Sequence, residues 1–217
     1  MKKREIIFWG GTMQAVTLRE LLPEDIELVA VFDNNRELPS PFPDVPIFYG
    51  EEGFEAWLSA RPQRETLYFA VAIGSALGYD RCQIGTFLQQ HGLLPYSIIA
   101  DSAIISPTAR IGAGVQILPG VVIDARVEIG DYALLNLSVT VAHACKIARG
   151  VHLAPGVTMA GMSVIEDYVT LYTGVHVSPR VRVGARSVVG IGSTVLRDIP
   201  AGVLAYGMPA VAQKKLF

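Results

Sequence analysis

From Ile105 onward the apolar positions recur every sixth residue: Ile105, Ile111, Ile117, Ile123, Ile129, Leu135, Val141, Ile147, Leu153, Met159, Ile165, Leu171, Val177, Val183, Val189 and Val195. At the chain's 51% hydrophobic content, chance gives such a run roughly twice in 100,000 tries per register, so the counted period outweighs local propensity. Four places after each sits a second small or branched residue, from Ala109, Val115 and Val121 through Cys145 and Ser163 to Ser193 and Ile199. A six-residue unit is too short for a helical repeat. It fits one short strand plus a corner, so three units close one coil of a parallel β-helix, and each coil takes 18 residues. The pattern predicts a prism filled by inward aliphatic ladders.

The first hundred residues follow another rule. An apolar strand, Glu5 to Trp9, meets the turn Gly10-Gly11-Thr12, and Thr12 is placed to cap a helix with Ala15, Leu18 and Leu22 on its apolar face, ending at Pro23. A second strand, Glu27 to Phe32, ends at Asp33-Asn34-Asn35. The Pro-rich segment Leu38 to Pro46 reads as a loop, Glu51 to Ala60 as a helix, and Thr66 to Ile73 as a strand ending at Gly74-Ser75. A helix from Tyr79 to His91 stops at Gly92, and Pro95 to Ile99 makes a last strand. Strand, glycine turn, helix and strand open a doubly wound, Rossmann-like α/β domain. The expected division is 1–100 for that domain and 101–217 for the β-helix with its C-terminal tail.

Composition changes this picture little. The formal net charge is -2 over 217 residues, which offers no basic excess for nucleic acid. The mean hydropathy of +0.38 comes from the Val and Ile ladders, since no run approaches the ~18 apolar residues of a membrane span. The basic start, Met1-Lys2-Lys3-Arg4, precedes too short an apolar stretch for a signal peptide, so a cytoplasmic protein is expected. Two cysteines, Cys82 on a helix and Cys145 on an inward ladder, give a disulfide framework no support.

Candidate chemistry begins with the four histidines. His91 closes an amphipathic helix and reads as structural. His143 is the third residue of its hexad, which sets it on the outer surface of the prism. Gly161 follows 18 residues later, the same position one coil on, and coils lie about 4.8 Å apart. The Gly161 N–H is thus expected just above the imidazole, pairing a general base with an oxyanion donor as acyl transfer requires. The alternative is a solvated histidine beside a turn glycine. His152 and His176 end hexads on different faces, and no local ligand spacing indicates zinc. No Gly-x-Ser-x-Gly element supports an acyl-enzyme. In the front domain, Gly10 to Ala15 keeps only part of a dinucleotide fingerprint, and Asp33 stands where a ribose-binding acid would sit, so nucleotide binding and a purely structural turn both stay open. The missing central glycine points away from NAD.

The uninterrupted hexads, the stretches Asn136 to His143 and His152 to Gly161, and the ending Gly207-Met208-Pro209-Ala210 resemble the bacterial hexapeptide sugar acyltransferases. Within them the chain is most similar to the sialic acid O-acetyltransferase group, with its nucleotide-linked amino-sugar N-acetyltransferases. The resemblance implies a left-handed parallel β-helix, a homotrimer with acetyl-CoA held between neighbouring helices, and a nucleotide-linked sugar bound by the front domain; from the histidine spacing, no metal is expected. It assigns His143, Gly161 and Asn136 to catalysis and His152, Gly161, Thr173 and Ile191 to the coenzyme. Gly11, Thr12, Met13, Gln14, Ala15, Asp33, Asn34 and Gly74 fall to the substrate. Two departures stand out. Ala144 occupies the place of the acidic residue that usually follows the catalytic histidine, and Met13 and Gln14 replace a glycine and a histidine of the substrate loop. The implied activity is acetyl transfer from acetyl-CoA to an amino or hydroxyl group of the sugar. A non-catalytic binding protein and, further off, a zinc-dependent enzyme of the carbonic-anhydrase kind are the alternatives.

Overall fold

The computed structural model describes residues 3–61 and 66–217, so Met1 and Lys2 of the basic start lie outside the described residues. The chain divides into two units, Met1–Ile73 with Gln83–Ile98, and Gly74–Cys82 with Ile99–Phe217.

In the first unit the order is β1 (Arg4–Trp9), α1 (Met13–Arg19), β2 (Ile26–Asp33), β3 (Ile47–Tyr49), α2 (Gly50–Ser59), β4 (Leu67–Val71), α3 (Gly78–Gln90) and β5 (Leu94–Pro95). The first residues of α3, to Cys82, count with the second unit. The sheet runs β3-β2-β1-β4-β5 with every pair parallel. Strands covered on both faces read as continuous apolar runs, and Ile6 to Trp9 and Phe69 to Val71 are buried accordingly. Trp9, Phe32, Phe54 and Phe87 interlock, and the Phe32 and Phe54 rings meet edge-on with centroids 5.3 Å apart. Gly10 has φ 112°, and a Cβ there would lie 2.3 Å from the Ala72 carbonyl oxygen, so only glycine lets β1 turn against β4.

Three local expectations need correction. Thr12 occupies the N-cap position, but its side chain makes no capping hydrogen bond, and α1 ends at Arg19, well before Pro23. The strand β3 follows the Pro-rich loop unforeseen, because three residues carry too little alternation to register, yet they pair with β2. The single strand read over Pro95 to Ile99 is two, β5 and β6 (Ile98–Ile99), since Ile99 lies one hexad before Ile105 and already belongs to the repeat.

The second unit is the prism. Sixteen two-residue strands, β7 (Ile104–Ile105) through β22 (Thr194–Val195), each end on an aliphatic residue of the six-residue series. Each pairs in parallel with the strand 18 residues away, as Val141 with Met159 and Ile147 with Ile165. They stack into three faces, here named for Thr140, Lys146 and His152, which follow one another around each coil. Both inward series are buried from Val115 onward. The serines among them keep their hydroxyls satisfied, with Ser163 donating to the Ala160 and Ser178 carbonyls at 2.7 and 2.9 Å. The tail, unremarkable by period, forms an antiparallel hairpin of β23 (Val203–Gly207) and β24 (Ala210–Lys215), and β23 extends the His152 face.

Against this prism lies the segment Gly74–Cys82. Arg81 is 0% exposed and donates to the Tyr132, Gly150 and Val151 carbonyls at 3.2, 2.9 and 3.3 Å. Burial lowers its pKa to about 10, which leaves it charged at neutral pH. A Cβ on Gly78 would come within 1.8 Å of the Gly150 carbonyl oxygen, so glycine is required for this close approach.

Candidate active site

The corner between the Thr140 and Lys146 faces brings His143 and Gly161 together, as the 18-residue coil led us to expect. His143 follows the strand Thr140–Val141, and Gly161 follows the strand Thr158–Met159 that pairs with it. A Cβ on Gly161 would lie 2.6 Å from both Cε1 and Nε2 of His143, so the imidazole rests on the bare α-carbon of the next coil. Gly161 is buried, its carbonyl accepts the Arg180 N–H at 3.1 Å, and its own N–H makes no hydrogen bond among the described residues. A free amide beside an imidazole nitrogen is what a tetrahedral oxyanion needs.

On the other side of the ring the structure supplies a residue that residue-by-residue matching to the family did not. Asp124 Oδ2 lies 3.8 Å from His143 Nδ1, and both side chains are just over half exposed. Asp124 Oδ1 accepts the Ala125 N–H at 2.6 Å, which fixes the carboxylate with its other oxygen toward the ring. The signal was present in the period, because Asp124 stands 18 residues before Ala142, the neighbour of His143.

The other assigned residues lie elsewhere on the prism. Thr173 and Ile191 stand in one column at the corner between the His152 and Thr140 faces, above Leu137 and Pro155, as the Gly156, Gly174 and Gly192 N–H bonds to the Leu137, Pro155 and Thr173 carbonyls show. Ile191 is 75% exposed there. Asn136 belongs to that corner too, with Oδ1 accepting the Leu137 N–H at 2.7 Å, so within one chain it is not brought to His143. His152 lies on its own face, only 6% exposed, and neither ring nitrogen has a hydrogen-bond partner among the described residues. Desolvation, with the nearby Arg81 charge, pushes its pKa down to about 4, so the ring is neutral. Both ring nitrogens of His152 are buried within the single chain. Cys145 is buried, its thiol donates to the Ala160 carbonyl at 3.2 Å, and burial raises its pKa, which leaves it inert.

In the first unit, Asp33 is committed to the backbone: Oδ2 accepts the Gly11 N–H and Oδ1 the Asn35 N–H, each at 2.8 Å. It ties the glycine turn to the end of β2. Met13 is 72% exposed at the start of α1, with Thr12 exposed before it, Gln14 partly covered after it and Ala15 buried. Asn34 is exposed, and Gly74 begins the segment counted with the second unit.

A groove of about 730 Å³ lies on the Lys146 face, lined by Arg110, Glu128, Lys146 and Glu166. Its charges are paired along the face, Lys146 with Glu128 at 3.9 Å among them, and it includes none of the assigned residues. No cluster of three or more His, Cys, Asp or Glu side chains among the described residues is arranged to hold a metal, and no described helix is long and apolar enough to cross a membrane.

No family model matches the chain. Among solved structures it is similar to PerB from Caulobacter crescentus in complex with CoA and GDP-perosamine, at 30% identity and a TM-score of 0.86, with 97% of each chain covered. A variant of perosamine N-acetyltransferase from the same organism, with the same ligands, gives 29% identity and a TM-score of 0.87 over 97% of each chain. The acetyltransferase domain of PglB from Neisseria gonorrhoeae, in complex with acetyl coenzyme A, shares the fold at a TM-score of 0.82 and 23% identity, covering 97% of this chain and 100% of that one. A curated relative, galactoside O-acetyltransferase of Lactococcus lactis, is 48% identical over 48 residues, which are 22% of this chain. The match spans 23% of that relative's length.

Proposed function

Because the chain belongs to the bacterial hexapeptide-repeat acetyltransferases, we propose that it transfers the acetyl group of acetyl-CoA to an amino group of a nucleotide-linked sugar. The observation that carries this reading is the His143 imidazole seated on Gly161, whose N–H is free for a developing oxyanion. The amine lone pair attacks the thioester carbonyl carbon, and the Gly161 N–H stabilises the oxygen that becomes negative. His143 accepts the proton the nitrogen sheds and returns it to the thiolate as the carbon–sulfur bond breaks. Atoms balance with no enzyme-bound acyl group, in keeping with Cys145 being buried and inert.

Acetyl-CoA enters as a co-substrate. Thr173 and Ile191 stand at one edge of the Thr140 face, and His143 with Gly161 at the other. Contact of one edge against the other edge of the next copy is heterologous and forms a closed ring when the rotation closes, which fits a homotrimer with the coenzyme between neighbouring prisms of left-handed winding. In the front unit the strand order β3-β2-β1-β4-β5 supports a Rossmann-like sugar-nucleotide domain with Gly11 to Ala15 and Asn34 near the substrate, while Asp33 holds the loop. A chain confined to the cytoplasm, where acetyl-CoA is made, fits the same reading.

GDP-perosamine, the ligand of the similar structures, is the first sugar nucleotide to try. With acetyl-CoA it is expected to release free CoA thiol and an acetylated sugar. Binding of both ligands without thiol release would instead establish a binding protein that has lost catalysis.

A further inference from the structure

We infer that Asp124 is the positioning residue for His143, doing from the preceding coil what the adjacent position, Ala144, cannot. The inference rests on His143 being the base. Among the described residues Asp124 is the only carboxylate within 4.0 Å of a His143 ring nitrogen. The ring lies between two coils: Nδ1 faces Asp124 at 3.8 Å, and Nε2 faces Gly161. That separation exceeds a hydrogen bond, but the half-exposed imidazole has room to turn toward the carboxylate, and catalytic contacts of this kind often tighten when substrate binds. The carboxylate is not free to wander, because Oδ1 is held by the Ala125 N–H at 2.6 Å. Asp124 accepts only, so it holds the proton of neutral imidazole on Nδ1 and leaves the lone pair on Nε2, the nitrogen beside the oxyanion donor. An acid is thus retained without an acidic residue after the histidine.

Asp124→Asn tests this cleanly. Asparagine keeps an oxygen for the Ala125 N–H and turns an N–H toward Nδ1, which then accepts and drives the proton to Nε2. In nitrogen-15 spectra of the histidine-labelled full chain near pH 8, with His143 assigned by its loss in His143→Ala, the wild type is expected with Nδ1 protonated and Asp124→Asn with Nε2 protonated. This readout needs no substrate. With acetyl-CoA and GDP-perosamine, kcat in Asp124→Asn is expected to fall by roughly 10- to 100-fold, the range typical of orienting carboxylates, with KM within about twofold. Asp124→Glu is expected to recover most of the loss. A wild-type His143 already protonated on Nε2 and unchanged by Asp124→Asn would overturn the inference without touching the base role. Full turnover in His143→Ala would overturn the base role, whatever the tautomer.

Discussion

His143 and Gly161 touch across one coil step, so substitutions at the two positions report on one geometry. Removing the imidazole in His143→Ala is expected to cost about 10²- to 10⁴-fold in kcat, the usual contribution of a general base. In Gly161→Ala the new methyl would need the space of the ring, 2.6 Å away, so the imidazole must swing outward. That variant is expected to fold, because Gly161 does not take a positive φ, and to lose at least about 10-fold in kcat. Wild-type rates in Gly161→Ala, read by thiol release, would contradict the pairing. His152 gives a pH signature of a different kind. Its folded pKa of about 4 lies below the ordinary ~6.5, so between those values the unfolded chain binds more protons and stability falls as pH drops. At about 1.36 kcal/mol per pH unit the full effect is about 3 kcal/mol. Urea midpoints at pH 7.5 and 5 are expected to differ less in His152→Phe than in the wild type, and equal differences would refute the buried neutral ring.

At the scale of elements, Arg81 ties the segment Gly74–Cys82 to three carbonyls of the prism. Arg81→Leu strips donors from three buried carbonyls, so a loss of roughly 3 kcal/mol, in the range for breaking a buried charged network, is expected with faster amide exchange in Gly74–Cys82. Unchanged exchange would show that the segment is held by other contacts. The legibility of the chain differed between elements for the same reason. The prism was readable because each buried side chain repeats at a fixed interval and each coil stacks on the last, so even the contact of His143 with Gly161 followed from counting. Arg81 was not readable: a charged residue on a helix pattern looks solvated until its carbonyl partners, from Tyr132, Gly150 and Val151, come together in space. Asp124 lay between, because the acidic residue of the family adjoins the histidine in sequence, whereas here the carboxylate near His143 comes from one coil earlier. The short β3 and the hairpin of β23 and β24 have no period to betray them.

For the whole molecule, the proposed trimer divides the coenzyme site between the two edges of the Thr140 face of neighbouring chains. Sedimentation of the purified protein is expected to give a mass near three chains, and Ile191→Glu, which places a charge on the exposed column, is expected to weaken both assembly and acetyl-CoA affinity. An active monomer would contradict the shared site. The most direct measurement of acetyl transfer is the release of CoA thiol from acetyl-CoA with a panel of nucleotide-linked 4-amino sugars, GDP-perosamine among them, followed by mass analysis of the sugar. The expected result is amine-dependent thiol release, a sugar heavier by one acetyl group, and loss of both in His143→Ala. Contradiction would be tight binding of both ligands with no thiol released, or release that survives His143→Ala undiminished.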